Sequence, residues 1–165
     1  MKNLQNKIEN NFSFLMNFGF EFSIPKSNTK NESIAIFVCP SFKIRLVQYH
    51  QELYLEFSKI FIDKYKSEEK WITFHWLIEY FSGKIYKTNY FQEEKNYEVK
   101  INNQLISISN ELKLYIDKVI DFFNSNNYDN QYKKLLTYIN KRLKDCGILS
   151  LSGSYVEVST NYLKR

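Results

Sequence analysis

His75 and Glu79, in the stretch WITFHWLIEYF (71–81), are the two residues whose types and spacing best suit chemistry. Four positions apart on a helix, an imidazole and a carboxylate can hydrogen-bond, which is half of a general-base arrangement. No nucleophile accompanies them in the neighbouring sequence; only Cys39 or Cys146 could approach through the fold. The expectation for His75 is therefore a partly buried structural or interface residue. His50, the other histidine, reads as an exposed residue of a turn. Two His and two Cys, widely scattered, do not form a zinc site by spacing. No GxGxxG, GxxxxGKS/T or GxSxG occurs, and four glycines cannot build a phosphate-cradling loop elsewhere. The residues thus lead to no enzyme, no cofactor and no metal.

Charge is the next place to look for function. The formal net charge is +5, which invites a nucleic-acid partner. Residues 1–60 carry seven basic and five acidic side chains, residues 61–100 seven of each, and residues 101–165 nine and six. A nucleic-acid footprint is clustered on one face, whereas this excess is spread along the chain. The best basic patch is Lys133, Lys134, Lys141, Arg142 and Lys144, opposite the apolar stripe of the last helix. A solvated face with cations near a helix C-terminus explains it as simply, so nucleic acid stands as the alternative partner only.

The elements that must position these groups follow from periodicity. Leu4, Ile8, Phe12, Leu15 and Met16 recur at helical spacing and predict a first helix ending near Phe18. Gly19 stands where a helix end needs a left-handed residue, and Phe20, Phe22 and Ile24 then alternate with period two. The stretch NFSFLMNFGFEF (11–22) is thus a helix-to-strand corner, with Phe12 and Phe20 folding onto one core. SNTKN (27–31) reads as a turn, SIAIFV (33–38) as a strand, and Pro40 as its end. FKIRLVQY (42–49) and ELYLEFSKIF (52–61) alternate apolar and polar, joined by a short hairpin at Tyr49-His50-Gln51. Phe42, Ile44, Leu46, Leu53, Leu55 and Phe57 point inward on this reading; Lys43, Arg45, Glu52, Tyr54 and Glu56 point outward. Lys43 and Arg45 can then meet Glu52 or Glu56 across the pair.

From there the period is helical. Ser67 is a candidate N-cap, with Glu68 and Glu69 in the first turn of a helix running over 71–81 that Gly83 closes. Residues 84–100 are looser. Leu112, Tyr115, Ile116, Val119, Ile120 and Phe123 form a second stripe, and Tyr132, Leu135, Leu136, Ile139 and Leu143 a third, which Gly147 ends. Residues 148–165 form a C-terminal extension with a small hairpin or flexible tail after a single domain at 1–147. The fold class is α+β: an N-terminal helix, an antiparallel meander of three to four strands, then three helices on one face of the sheet.

Helix 71–81 is apolar on nearly every side, with Trp71, Phe74, Ile78 and Phe81 in one sector and Trp76 and Tyr80 stacking on another. Such a helix is either fully buried or uses a second face for a partner. Lys43, Arg45, Glu52, Tyr54, Glu56, His75, Trp76 and Tyr80 are accordingly the candidate partner-binding residues.

The opening NFSFLMNFGFEF, then SIAIFVCPSFKIRLVQYHQELYLEF and a helical second half, resembles bacterial immunity proteins of polymorphic toxin systems over residues 4–60. The resemblance implies a non-enzymatic protein that binds a cognate toxin domain and occludes it. Immunity proteins against nucleases tend to be acidic, whereas this chain has a pI near 9.0, so the partner expected is neutral or acidic at its interface. Two cysteines without paired spacing and the lack of a long apolar segment place the chain in the cytoplasm, with no membrane and with a homodimer left open.

Overall fold

The computed structural model describes residues 2–25, 33–60, 70–87 and 89–145. The turn expected at 27–31, Ser67 with its following glutamates, Cys146, Gly147 and the extension 148–165 lie outside them.

Ile8, Phe12 and Leu15, all essentially without solvent exposure, set the buried stripe of α1 (Lys2–Phe12) and of the 3-10 turn that prolongs it over Ser13–Phe18. Gly19 ends that turn at φ 78°, and its N–H donates to the Met16 carbonyl at 3.0 Å. The left-handed conformation costs a residue with a Cβ ~1–2 kcal/mol, which is why a glycine stands there. The chain then reverses, and Phe20 and Phe12 enter the same core from either side of the corner.

Five antiparallel strands follow in sheet order β1-β2-β3-β4-β5, each beside its sequence neighbour. They are β1 (Glu21–Ser23), β2 (Ser33–Val38), β3 (Phe42–Tyr49), β4 (Glu52–Lys59) and β5 (Ile72–Thr73). A run of β-branched and aromatic residues dictates β2, and their alternation with polar ones dictates β3 and β4. The fifth strand exceeds the three to four expected: Ile72 and Thr73 pair with Phe57 and Glu56 before any helix begins. The helix expected from residue 71 therefore starts three residues later, as α2 (Phe74–Ser82), closed by Gly83.

α3 (Tyr97–Asn124) takes in the end of the stretch that looked irregular in sequence. Asn96 caps it, its Oδ1 accepting from the N–H groups of Glu98 and Val99 at 3.0 and 3.2 Å. α4 (Tyr128–Asp145) completes the helix layer. Buried polar groups fasten this layer: Gln104 of α3 accepts from Leu53 N at 2.9 Å and donates to Gln51 O at 2.9 Å, and Ser109 donates to Asn11 O at 2.6 Å.

The core lies between the helices and the sheet face formed by Ala35, Phe37, Ile44, Leu46, Leu55 and Phe57. Its centre is Phe123, stacked on Phe42 at 4.6 Å and 12°, with Phe57 at 6.1 Å and Phe122 edge-on at 5.2 Å. Aromatic pairs of this kind add ~0.5–1.5 kcal/mol beyond the area they bury. Phe123→Ala is expected to remove ~3–5 kcal/mol of stability, and Gly19→Ala, where a Cβ would meet no atom, only the ~1–2 kcal/mol of backbone strain. Urea unfolding of both variants measures the difference, and equal losses would contradict this placement of the core.

Candidate functional site

Two-residue periodicity puts the polar residues of β3 and β4 on the sheet face opposite the core. The register sets Lys43 opposite Ser58, Arg45 opposite Glu56, Val47 opposite Tyr54 and Tyr49 opposite Glu52; Glu56 in turn faces Thr73 of β5. Arg45 closes on Glu56 with Nε at 2.7 Å and Nη2 at 2.6 Å from the same carboxylate oxygen. The guanidinium also lies 4.0 Å from the centre of the Trp71 ring, and Lys43 Nζ lies 5.7 Å from it.

Trp71 immediately precedes β5, so the register continued by one residue sets it beside Ser58. Neighbouring strands are ~4.8 Å apart, so its indole must pass over β4 to reach cations on β3. A side chain as small as serine at position 58 leaves room for that crossing. The face is then a sandwich: the Glu56 carboxylate, the Arg45 guanidinium, and an indole against it. A planar guanidinium suits this double role, pairing in its plane and stacking on its face. Glu56 is 2% exposed, whereas the Arg45 side chain keeps 26% of its surface. Beside them the hydroxyls of Ser58 and Thr73 are buried with no hydrogen-bond partner among the described residues.

This corrects the expected exposure of two residues, though not the face they occupy. Glu56 and Tyr54 were expected to be solvent-facing, and both are buried. Tyr54 packs its ring at 5.7 Å from Tyr90 and donates its hydroxyl to Glu52. Burial first, and then the bond to Glu52, hold its pKa far above the usual phenol value. Glu52 therefore serves Tyr54, and of the two acids only Glu56 meets a β3 cation.

The α2 residues go elsewhere. His75 and Glu79 form no dyad: the buried Glu79 carboxylate accepts from Tyr86 N at 3.0 Å, Tyr138 Oη at 3.2 Å and Arg142 Nε at 3.2 Å. It thereby ties α2 to the following loop and to α4. Arg142 is drawn out of the basic patch expected on α4, where Lys133, Lys134, Lys141 and Lys144 are exposed. His75 instead sets its ring 4.4 Å from Trp76 and lines a cavity of about 20 Å³ with Tyr54, Tyr86 and Tyr90. Burial lowers its pKa from 6.5 to about 4, against a smaller opposing pull from Glu79. Trp76 and Tyr80 do not stack on each other. Trp76 packs against the core, and Tyr80 meets Phe122 and Tyr138 edge-on at 6.5 and 6.0 Å. His50 is exposed at the hairpin, as expected, at φ 53°.

No protein-family model, curated protein or solved structure matches this chain. The structure by itself assigns the polar features. Among the described residues no three His, Cys, Asp or Glu converge as metal ligands, and no helix is long and apolar enough to cross a membrane. Lys43, Arg45 and Glu56 are the sequence candidates that the fold brings together. Trp71 is the member that sequence reasoning missed; the run Trp71-Ile72-Thr73, rich in strand formers, was the available signal.

The unequal burial of the ion pair makes its two halves unequal in cost. Arg45→Met strands a buried carboxylate and is expected to cost ~3 kcal/mol or more, whereas Glu56→Gln leaves a guanidinium that can reach water, at ~1 kcal/mol. Chemical denaturation of the two variants checks the order, and a larger loss for Glu56→Gln would refute it. For His75 the folded-state pKa is the depressed one, so the folded chain resists protonation. That stability is complete above the unfolded value of 6.5 and is lost as pH falls towards 4, by on the order of 2–3 kcal/mol. His75→Gln is expected to flatten this part of the stability profile, measured by urea midpoints across the same range.

Proposed function

We propose that the chain is a non-enzymatic recognition protein that binds a cognate bacterial toxin domain and silences it by covering its working surface. The observation that carries this reading is the Glu56–Arg45–Trp71 sandwich on the sheet face away from the helices, with Lys43 beside the same ring. Arg and Trp are the residue types richest in binding hot spots. Here they are held in one geometry before any partner arrives, which reduces the ordering cost of association. Nothing about such a cluster requires turnover; its product is affinity.

The resemblance of residues 4–60 to immunity proteins supplies the class of partner, and the charge supplies its sign. With a net +5 and two cations on the proposed face, a toxin surface that is neutral or acidic fits better than a basic nucleic-acid cleft. Buried, unpaired Cys39 suits the reducing cytoplasm in which such a complex would form.

The test is a binding titration against the purified toxin-domain product of the neighbouring gene. Trp71→Ala is expected to weaken the complex by ~2 kcal/mol or more, about thirtyfold, with the fold retained by circular dichroism. Should that variant fold poorly, the half-buried Lys43 offers a milder probe, and Lys43→Glu is expected to weaken binding in the same direction. Wild-type affinity in folded variants at both positions would refute the sheet face as the interface.

A further inference from the structure

β2 is apolar on both of its faces, whereas an antiparallel strand with water on one side normally alternates. Ala35 and Phe37 point into the core, and Ile36 and Val38 stand on the opposite face. The register fixes that side: Ile36 is paired with Arg45 and Val38 with Lys43, on the sheet face away from the helices. Both aliphatics are only partly buried, and neither packs against the core. They form an apolar stripe where the fold supplies no helix to cover one.

The stripe is flanked by opposite charges. One row across the strands reads Glu21 of β1, Val38 of β2 and Lys43 of β3; the next reads Ser23, Ile36 and Arg45. With strands ~4.8 Å apart, the acid and the cations stand about 10 Å apart on either side of an aliphatic centre. Glu21 and Ser23 are exposed on the edge strand. β4 takes no part, because its residues on this face, Tyr54, Glu56 and Ser58, are already buried within the chain.

We propose that this face binds a second copy of the chain, β2 against β2, about a two-fold axis running along the strand. Such an axis lays β1 of each copy over β3 of the other. Ile36 and Val38 then meet their own counterparts, and Glu21 of each copy faces Lys43 of the other. A two-fold contact needs a patch complementary to itself, and rows of acid, aliphatic and cation reverse into their own complement. Facing sheets pack ~10 Å apart with strands within about 30° of each other, so side chains from both copies reach the middle. A purely acidic or purely basic partner would meet like charge along one edge. The patch is only three strands wide, which places it in the small, transient class of interfaces. Lys43 also belongs to the proposed toxin interface, so a toxin domain and a second copy compete for it.

The experiment is sedimentation equilibrium of the full chain alone, from ~10 μM to ~1 mM. The apparent mass is expected to rise from 19.9 kDa towards twice that value. Ile36→Thr, which keeps a strand former and removes apolar surface, is expected to weaken the dimer at least ~threefold. Glu21→Lys and Lys43→Glu each set like charges face to face at both ends of the contact, and each is expected to weaken it at least ~tenfold. Mixed in equal amounts, these two variants are expected to associate again, because each offers the charge that the other lacks. Circular dichroism checks that every variant is folded. If Lys43→Glu is not, Ile36→Thr and the exposed Glu21→Lys decide the question alone. A chain monomeric across the whole range would overturn the proposal. So would a dimer indifferent to Ile36→Thr or Glu21→Lys, or folded charge variants that stay apart when mixed. No toxin domain enters these measurements, so the dimer and the toxin reading fail or succeed separately.

Discussion

The register of β3 against β4 is the constraint on which the rest depends. A slip of one residue would turn Ile44 and Phe57 out of the core and drive Arg45 and Glu56 into it. The slip is prevented from both sides of the sheet. On one side, Phe42 and Phe57 pack on Phe123 from α3. On the other, Arg45 and Glu56 are paired directly across the strands and covered by an indole from the next strand position. β4 is buried at six consecutive residues, Leu53 to Ser58, which is unusual for an antiparallel strand and leaves no face to carry an error. The Arg45–Glu56–Trp71 cluster and the hydrophobic core are therefore two readouts of one pairing.

Two buried glutamates repeat a single electrostatic device. Glu56 is paired with Arg45 across two strands, and Glu79 with Arg142 across two helices. In each pair the carboxylate side chain is almost wholly covered, at 3% and 4% exposure, while the guanidinium keeps 26% and 20%. An arginine can bury its stem and leave its head at the water boundary, and a glutamate is too short to do so. The arrangement avoids much of the desolvation cost that makes a fully buried pair a poor stabiliser. It also fixes which elements neighbour one another, because a carboxylate left alone in either place would be costly. The same logic explains why Glu79 is not available to His75: three donors from the loop and α4 already occupy its oxygens.

Much of this was legible in the sequence. β2 spans the β-rich run read at 33–38, β3 begins and ends where its alternation does, the Gly19 corner forms as its spacing demands, and the α+β order stands. The losses have particular causes. Glu56 and Tyr54 occupy outward positions, and alternation reports the face without reporting what covers it. Trp71 was absorbed into a helix because WITFHWLIEYF is apolar at helical and strand periods alike, and only the pairing of Ile72 and Thr73 with β4 separates the two. Arg142 read as part of a basic face because its partner, Glu79, lies 63 residues away and no local pattern connects them. The polar start of α3 was missed for a related reason: Asn96 caps it, but the apolar stripe that signals a helix becomes regular only further along.

The aromatic richness then bears on function by subtraction. Phenylalanines such as Phe12, Phe37, Phe42, Phe57 and Phe123 have no exposed surface and serve packing alone. Tyrosines occupy the boundary instead: Tyr54, Tyr86, Tyr128, Tyr132 and Tyr138 all have phenol pKa values raised chiefly by burial. A phenol held neutral in this way acts as a hydrogen-bond donor on an apolar body, as Tyr138 does towards Glu79 and Tyr54 towards Glu52. Rings committed to such work cannot also anchor a partner. Trp71 on the sheet and Tyr80 with Phe81 on α2 differ, because each is part-buried on one side and open beside charged or polar groups on the other. A molecule that devotes so many rings to holding helices on a sheet leaves few of them open, and those few are already oriented by their neighbours.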